Sequence, residues 1–91
     1  MKLLTAKYEG LTTQGNFSII AVTIENEQGR VQSGKLMFEN DGRDLDVEGL
    51  DAEYVTAHIE DVYGDDAQLA MLEAELEKGS KDYDNRPSHG T

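Results

Sequence analysis

Apolar and polar residues alternate along the first forty positions and then change period. From Lys2 to Tyr8, Leu4, Ala6 and Tyr8 fall on one side and Leu3, Thr5 and Lys7 on the other, the period-two pattern of a strand. Gly10 to Asn16, G-L-T-T-Q-G-N, is turn-rich and predicts a loop. Phe17 to Glu25 is apolar on both sides, with Phe17, Ile19 and Ala21 on one and Ile20, Val22 and Ile24 on the other. Such a strand belongs in the interior of a sheet, with at least one face packed on helix. Asn26 to Arg30, N-E-Q-G-R, contains a glycine able to take positive φ and predicts a hairpin. Val31 to Glu39 then returns with Leu36 and Phe38 on one face and Met37 on the other. Short connections make these strands an antiparallel meander, and the alternation D-L-D-V-E allows a fourth strand around Leu45 to Val47.

Past Asp51 the period becomes helical. Asp51 is placed to cap a helix, with Glu53 in the first turn at the positive end of the helix dipole. Val55, Ile59 and Val62 then recur at intervals of four and three, forming one apolar stripe, and Gly64 ends the segment. Asp65 or Asp66 caps a second helix carrying Leu69, Leu72 and Leu76, which Gly79 is expected to stop. The chain therefore reads as α+β: a three-stranded antiparallel meander, extendable to four strands, packed on two C-terminal helices. A single domain is expected over residues 1–79, followed by a flexible tail over 80–91 in which no periodicity survives.

Both helical stripes can cover the sheet face of Ile20, Val22, Ile24, Leu36 and Phe38. That leaves Phe17, Ile19, Leu3 and Met37 uncovered, and Met71 points nearly opposite the leucine stripe at about 100° per residue. Phe17, Ile19, Met37 and Met71 are accordingly the candidates for self-association, most simply as a homodimer.

Length and composition narrow the class. Ninety-one residues suffice for one modest core, and the absence of cysteine excludes disulfides and thiolate chemistry. The first residues turn polar too soon for a signal peptide, and the longest apolar run, Ile19 to Val22, is far short of a membrane span. A cytoplasmic protein is expected. The net charge of −11 is unevenly distributed: residues 39–77 hold fourteen carboxylates against Arg43 alone. Such a surface repels nucleic acid and anionic lipid, and it attracts cationic surfaces from a distance. Neither direct nucleic-acid binding nor membrane contact is expected, because phosphate contact needs lysine and arginine gathered on one face.

Reactive chemistry finds little support. A calcium loop starting at Asp44 begins well, with Asp44, Asp46, Glu48 and Gly49, but its twelfth position is Val55 where a bidentate glutamate is required. His58 would need a second ligand one turn on for a helical zinc pair, and that position is Val62. His89 falls in the expected tail. No glycine-rich loop leads from strand to helix. Carboxylates are so abundant that a pair of them is no sign of acid–base catalysis. No cofactor, no metal and no enzymatic activity are expected.

What remains is an acidic protein that binds a basic one. Its candidate docking residues are Asp44, Asp46, Glu48, Asp51, Glu53, Glu60, Asp61, Asp65, Asp66, Glu73 and Glu77. Like charges one turn apart cost a few tenths of a kcal/mol when no basic residue relieves them. A partner would relieve them, and so would concentrated salt. The basic partner would be a nucleic-acid-binding protein or complex, with the carboxylates standing in for phosphates. In size, charge and the order strand, strand, strand, helix, the chain resembles small inhibitors encoded by bacteriophages and mobile elements, anti-CRISPR and anti-restriction proteins among them. The likeness is one of format. It implies an inhibitor acting in the cytoplasm of a bacterial host and transfers no individual residue. The alternative is a homo-oligomeric structural or accessory protein whose acidic face is simply solvated.

Overall fold

The segment apolar on both sides does lie inside the sheet. The computed structural model describes residues 1–85 as β1 (Lys2–Leu11), β2 (Phe17–Glu25), β3 (Val31–Glu39), β4 (Leu45–Glu48), α1 (Ala52–Tyr63) and α2 (Asp66–Asn85). The strands form one antiparallel sheet in the order β1-β2-β3-β4, and both helices pack on the same face of it. This is an α+β fold with the fourth strand formed. The β2–β3 hairpin closes through Gly29 at φ 80°, while the Asn26 side chain accepts from the amides of Gln28 and Arg30 at 3.0 and 2.9 Å.

The core is the single apolar layer between sheet and helices. Ile20, Val22 and Ile24 of β2, Leu36 of β3, Val55, Ile59 and Val62 of α1, and Leu72 of α2 are its buried members. Leu3 joins them, contrary to the strict alternation read from the sequence. The β1–β2 pairing shifts between Leu3 and Thr5 and again between Tyr8 and Gly10, so Leu3 stands opposite Ile24, Ala6 opposite Val22 and Tyr8 opposite Ile20. One extra residue in a strand reverses the face of everything beyond it. The first shift, at Leu4, therefore brings Leu3, Ala6 and Tyr8 to the same side.

Helix α2 covers the free edge of β1 as well as its face. The Leu3 amide donates to Gln68 Oε1 at 2.6 Å, and the Tyr8 amide to Glu75 Oε1 at 2.8 Å. These side chains occupy edge donors that would otherwise be open to another strand. Tyr8 reaches further along the helix and donates its hydroxyl to Asp82 Oδ2 at 2.8 Å. Met71 is half-buried against the core on this same side of α2, which corrects the expectation of an outward-pointing methionine. The helix is rotated toward β1 relative to an axis centred on its leucines.

Gly79 does not stop α2. It is buried, and a Cβ there would overlap Ser18 Oγ, lie 2.7 Å from Ser18 Cβ and stand 3.1 Å from Tyr8 Cε1. The glycine lets the helix backbone settle directly onto β2, where Ser18 is fully buried and donates to Asn40 Oδ1 at 2.7 Å. Beyond this contact α2 continues to Asn85, and Tyr83 donates to Asp41 Oδ2 at 3.0 Å in the β3–β4 connection. Residues 80–85 of the expected tail are therefore helical; the rest of it, with His89, lies outside the described residues.

Candidate acidic docking surface

The carboxylates of the second half of the chain divide into three groups by what the fold does with them. The first group lies on the outer side of the helical layer. On α1, Glu53 and Glu60 are exposed and seven residues apart, hence about 10 Å apart along the side opposite Val55, Ile59 and Val62. On α2, Asp66, Glu73 and Glu77 are exposed and fall within about 40° of one another around the axis at 100° per residue. Asp84 continues that line, so the row extends over about 27 Å. Asp84 was missed as a candidate because the helix was expected to end at Gly79. Its signal was the Glu77–Asp84 spacing of seven, which repeats the Asp66–Glu73 spacing. Among the described residues only Glu77 of this group has a basic neighbour, Lys81 at 3.3 Å.

Carboxylates of the second group hold the fold together. Asp51 caps α1, its side chain accepting from the Tyr54 amide at 3.2 Å. Asp65 does the same for α2 through the Gln68 amide at 3.0 Å, and that bond holds its carboxyl below the ordinary aspartate range. Asp61 binds the Met1 ammonium at 2.7 Å, which lowers its pKa in the same way. Glu75 is shifted down chiefly by the Tyr8 amide and next by Lys78, 2.9 Å away. Asp51, Asp61 and Asp65 are therefore committed to bonds within the chain that a partner would have to share.

A third group faces the other way. Leu45 and Val47 of β4 pack toward the core, so the pleat turns Asp46 and Glu48 to the outer face of the sheet, away from both helices. Asp44 lies exposed in the connection before β4. The eleven candidates thus do not share one surface. Glu53, Glu60, Asp66, Glu73 and Glu77 come together on the helical side, and Asp46 and Glu48 are excluded from it by the two-residue period of their strand.

His58 stacks on Tyr54, with ring centroids 4.3 Å apart, and its Nδ1 lies 2.8 Å from the Tyr54 carbonyl. Its Nε2 is 3.5 Å from Glu27. The half-match to a calcium loop falls largely on β4, where Asp46 and Glu48 follow the pleat instead of wrapping a centre. Among the described residues no group of three or more His, Asp or Glu side chains is placed to hold a metal ion, and no helix is long and apolar enough to cross a membrane.

Fold and surface together define a small α+β domain with a strongly acidic helical layer. No family model, curated protein or solved structure matches the chain.

Proposed function

We propose that this protein is a non-enzymatic binding protein. It docks the outer side of its helical layer onto a basic protein surface, of the kind that handles nucleic acid, and blocks it. One observation carries the reading: Glu53, Glu60, Asp66 and Glu73 are exposed on one side of the molecule, and no basic residue among those described pairs with them. The self-repulsion of such a surface is relieved when a cationic one covers it.

Charge density decides how far the likeness to nucleic acid extends. A duplex carries one charge per about 1.7 Å of axis, so about 16 over the 27 Å spanned by the α2 row. The row supplies Asp66, Glu73, Glu77 and Asp84, and α1 adds Glu53 and Glu60. That is about a third of the duplex density. The geometry favours docking onto a basic patch over full imitation of a helix of DNA.

Affinity capture from a host lysate at 50 mM salt, stepped to 0.5 M, tests the proposal. A basic protein should be retained, elute with the salt step, and be displaced by heparin, because attraction between exposed charges is screened. Charge reversal by Glu53→Lys, Glu60→Lys and Glu73→Lys should abolish retention without unfolding the domain. Reversal of Asp46 and Glu48, on the other face, should leave it intact. Retention that survives the helical reversals refutes the docking side.

A further inference from the structure

The outer face of the sheet carries a second surface, and its pattern matches a copy of itself. Phe17, Ile19, Ala21 and Met37 are partly buried, lie on the side away from the helices, and pack against no member of the core. Around them lie charges of both signs: Lys2 and Lys7 on β1 at one edge, Asp46 and Glu48 on β4 at the other, and Glu9, Glu25, Lys35 and Glu39 on the strands between and beside them, with Glu9 bound to Lys35. Across the middle, one row reads Lys7, Ala21, Lys35, Glu48, and the next reads Gly10, Ile19, Met37, Asp46.

We propose that this face forms a two-fold symmetric homodimer. Its axis runs parallel to the strands between β2 and β3, and the two sheets stack face to face. Such an axis keeps each row at its own level while exchanging left and right, so β1 of one copy lies over β4 of the other. Lys7 then faces Glu48 of the second copy, and the symmetry makes this ion pair twice. Ile19 meets Met37 of the second copy, and Met37 meets its Ile19. Lys35 then faces Ala21 of the second copy, and Asp46 faces Gly10, where nothing lies within 4 Å of the position a Cβ would take. Sheets stacked about 10 Å apart bring these side chains within reach, in the aligned arrangement usual for sheet packing. Lys35 is held by Glu9 at 3.1 Å within its own chain, which neutralises the one cation near the centre. Among the described residues Lys7 makes no ion pair, although it lowers the Glu75 pKa from across the β1 edge.

The face measures about 19 by 27 Å from strand spacing and rise, so about 1,000 Å² is covered over both copies. That lies at the lower limit for a specific interface, so a weak, reversible dimer is expected. Two chains of net charge −11 repel one another at long range, and that repulsion is screened as salt shortens the Debye length from about 30 Å at 0.01 M to about 10 Å at 0.1 M. Salt therefore strengthens this dimer, whereas it weakens docking by the helical layer.

Sedimentation equilibrium on the full chain between about 5 and 500 μM, at 10 mM and at 0.3 M salt, tests the arrangement. A monomer–dimer equilibrium is expected, tighter by at least about tenfold at the higher salt. Lys7→Glu alone and Glu48→Lys alone should each weaken it about tenfold, and the double exchange Lys7→Glu/Glu48→Lys should restore it, since the pairing is merely transposed. Ile19→Thr/Met37→Thr keeps strand propensity and should abolish association, with an unchanged circular dichroism spectrum showing that the fold persists. A chain that stays monomeric at 500 μM in 0.3 M salt overturns the proposal. So do oligomers larger than a dimer, a dimer untouched by Ile19→Thr/Met37→Thr, and single exchanges that the double does not rescue.

Discussion

Replacing Gly79 by alanine sets two effects of opposite sign against each other. Glycine inside a helix is less favourable than alanine by about 1 kcal/mol, so from helix propensity alone Gly79→Ala should stabilise the protein. The site says otherwise. The new methyl would overlap Ser18 Oγ and lie 2.7 Å from Ser18 Cβ, where ordinary carbon contacts are about 3.6 Å or more. Ser18 cannot withdraw, being fully buried on an interior strand and bonded to Asn40. The helix must therefore lift by about 1 Å, a gap that forfeits a quarter to a half of the dispersion between the surfaces it separates. Overpacking of this kind costs about 1–3 kcal/mol, and lifting α2 also lengthens the bond from the Tyr8 amide to Glu75, worth about 1–2 kcal/mol. Set against the propensity gain, the net expectation is a loss of about 2 kcal/mol. For a domain of this size that is a fall of about 8–16 °C in Tm. Urea and thermal unfolding followed by circular dichroism measure it, with Ala74→Gly at an exposed α2 position as the propensity control. Adding Ser18→Gly to Gly79→Ala should recover part of the loss, because the two changes act on the same contact. A Tm that rises on Gly79→Ala alone would show that the close approach of α2 to β2 is not a constraint, and the account of this packing would fail.

Other perturbations read other parts of the structure. Tyr8 has its pKa pushed up to about 12 by burial and then by Asp82, so its contribution to stability is complete below pH 10 and lost as pH rises through about 12; burial raises Tyr54 and Tyr63 as well, so spectrophotometric titration should show several tyrosines ionising late, and Tyr8→Phe should remove one of them. Asp61, Asp65 and Glu75 are shifted downward, so the stability they confer is present above the ordinary carboxylate range and lost as pH falls through their folded values. Melting curves from pH 6 to pH 2 should accordingly show a steeper acid limb for the wild type than for Asp61→Asn/Asp65→Asn/Glu75→Gln, and equal limbs would contradict those roles. Asp51→Ala should cost about 1 kcal/mol through loss of the α1 cap, and Asp51→Asn close to nothing. Finally, Tm should climb between 10 mM and 0.5 M sodium chloride as the repulsion among Glu53, Glu60, Asp66 and Glu73 is screened; a flat profile would mean that their self-repulsion is negligible.

Local pattern determined the elements of this protein well. The two periods along the chain, the caps at Asp51 and Asp65, the glycine of the 26–30 hairpin and the end of α1 at Gly64 each depend on residues within a few positions of one another. A sequence displays such relations directly. The interior place of β2 was also legible, since a strand apolar on both sides has few other places to go. The concentration of charge in the second half was equally plain.

Tertiary structure decided what depends on residues far apart in the chain. Leu3 reached the core only because β1 bulges against β2, a shift of one residue that leaves no mark on alternation. Gly79 looked like a helix stop, since a small residue needed for close approach and one needed to end a helix are the same letter; Ser18, sixty-one positions earlier, distinguishes them. The acidic residues looked like one surface because charge along the chain says nothing about direction. The pleat of β4 sent Asp46 and Glu48 to one side of the molecule, and the helical turn sent Glu53, Glu60, Asp66 and Glu73 to the other. Composition set how much charge the protein carries, while packing of the apolar positions chose where it points, because each strand or helix orients its polar side chains only as a consequence of burying the others.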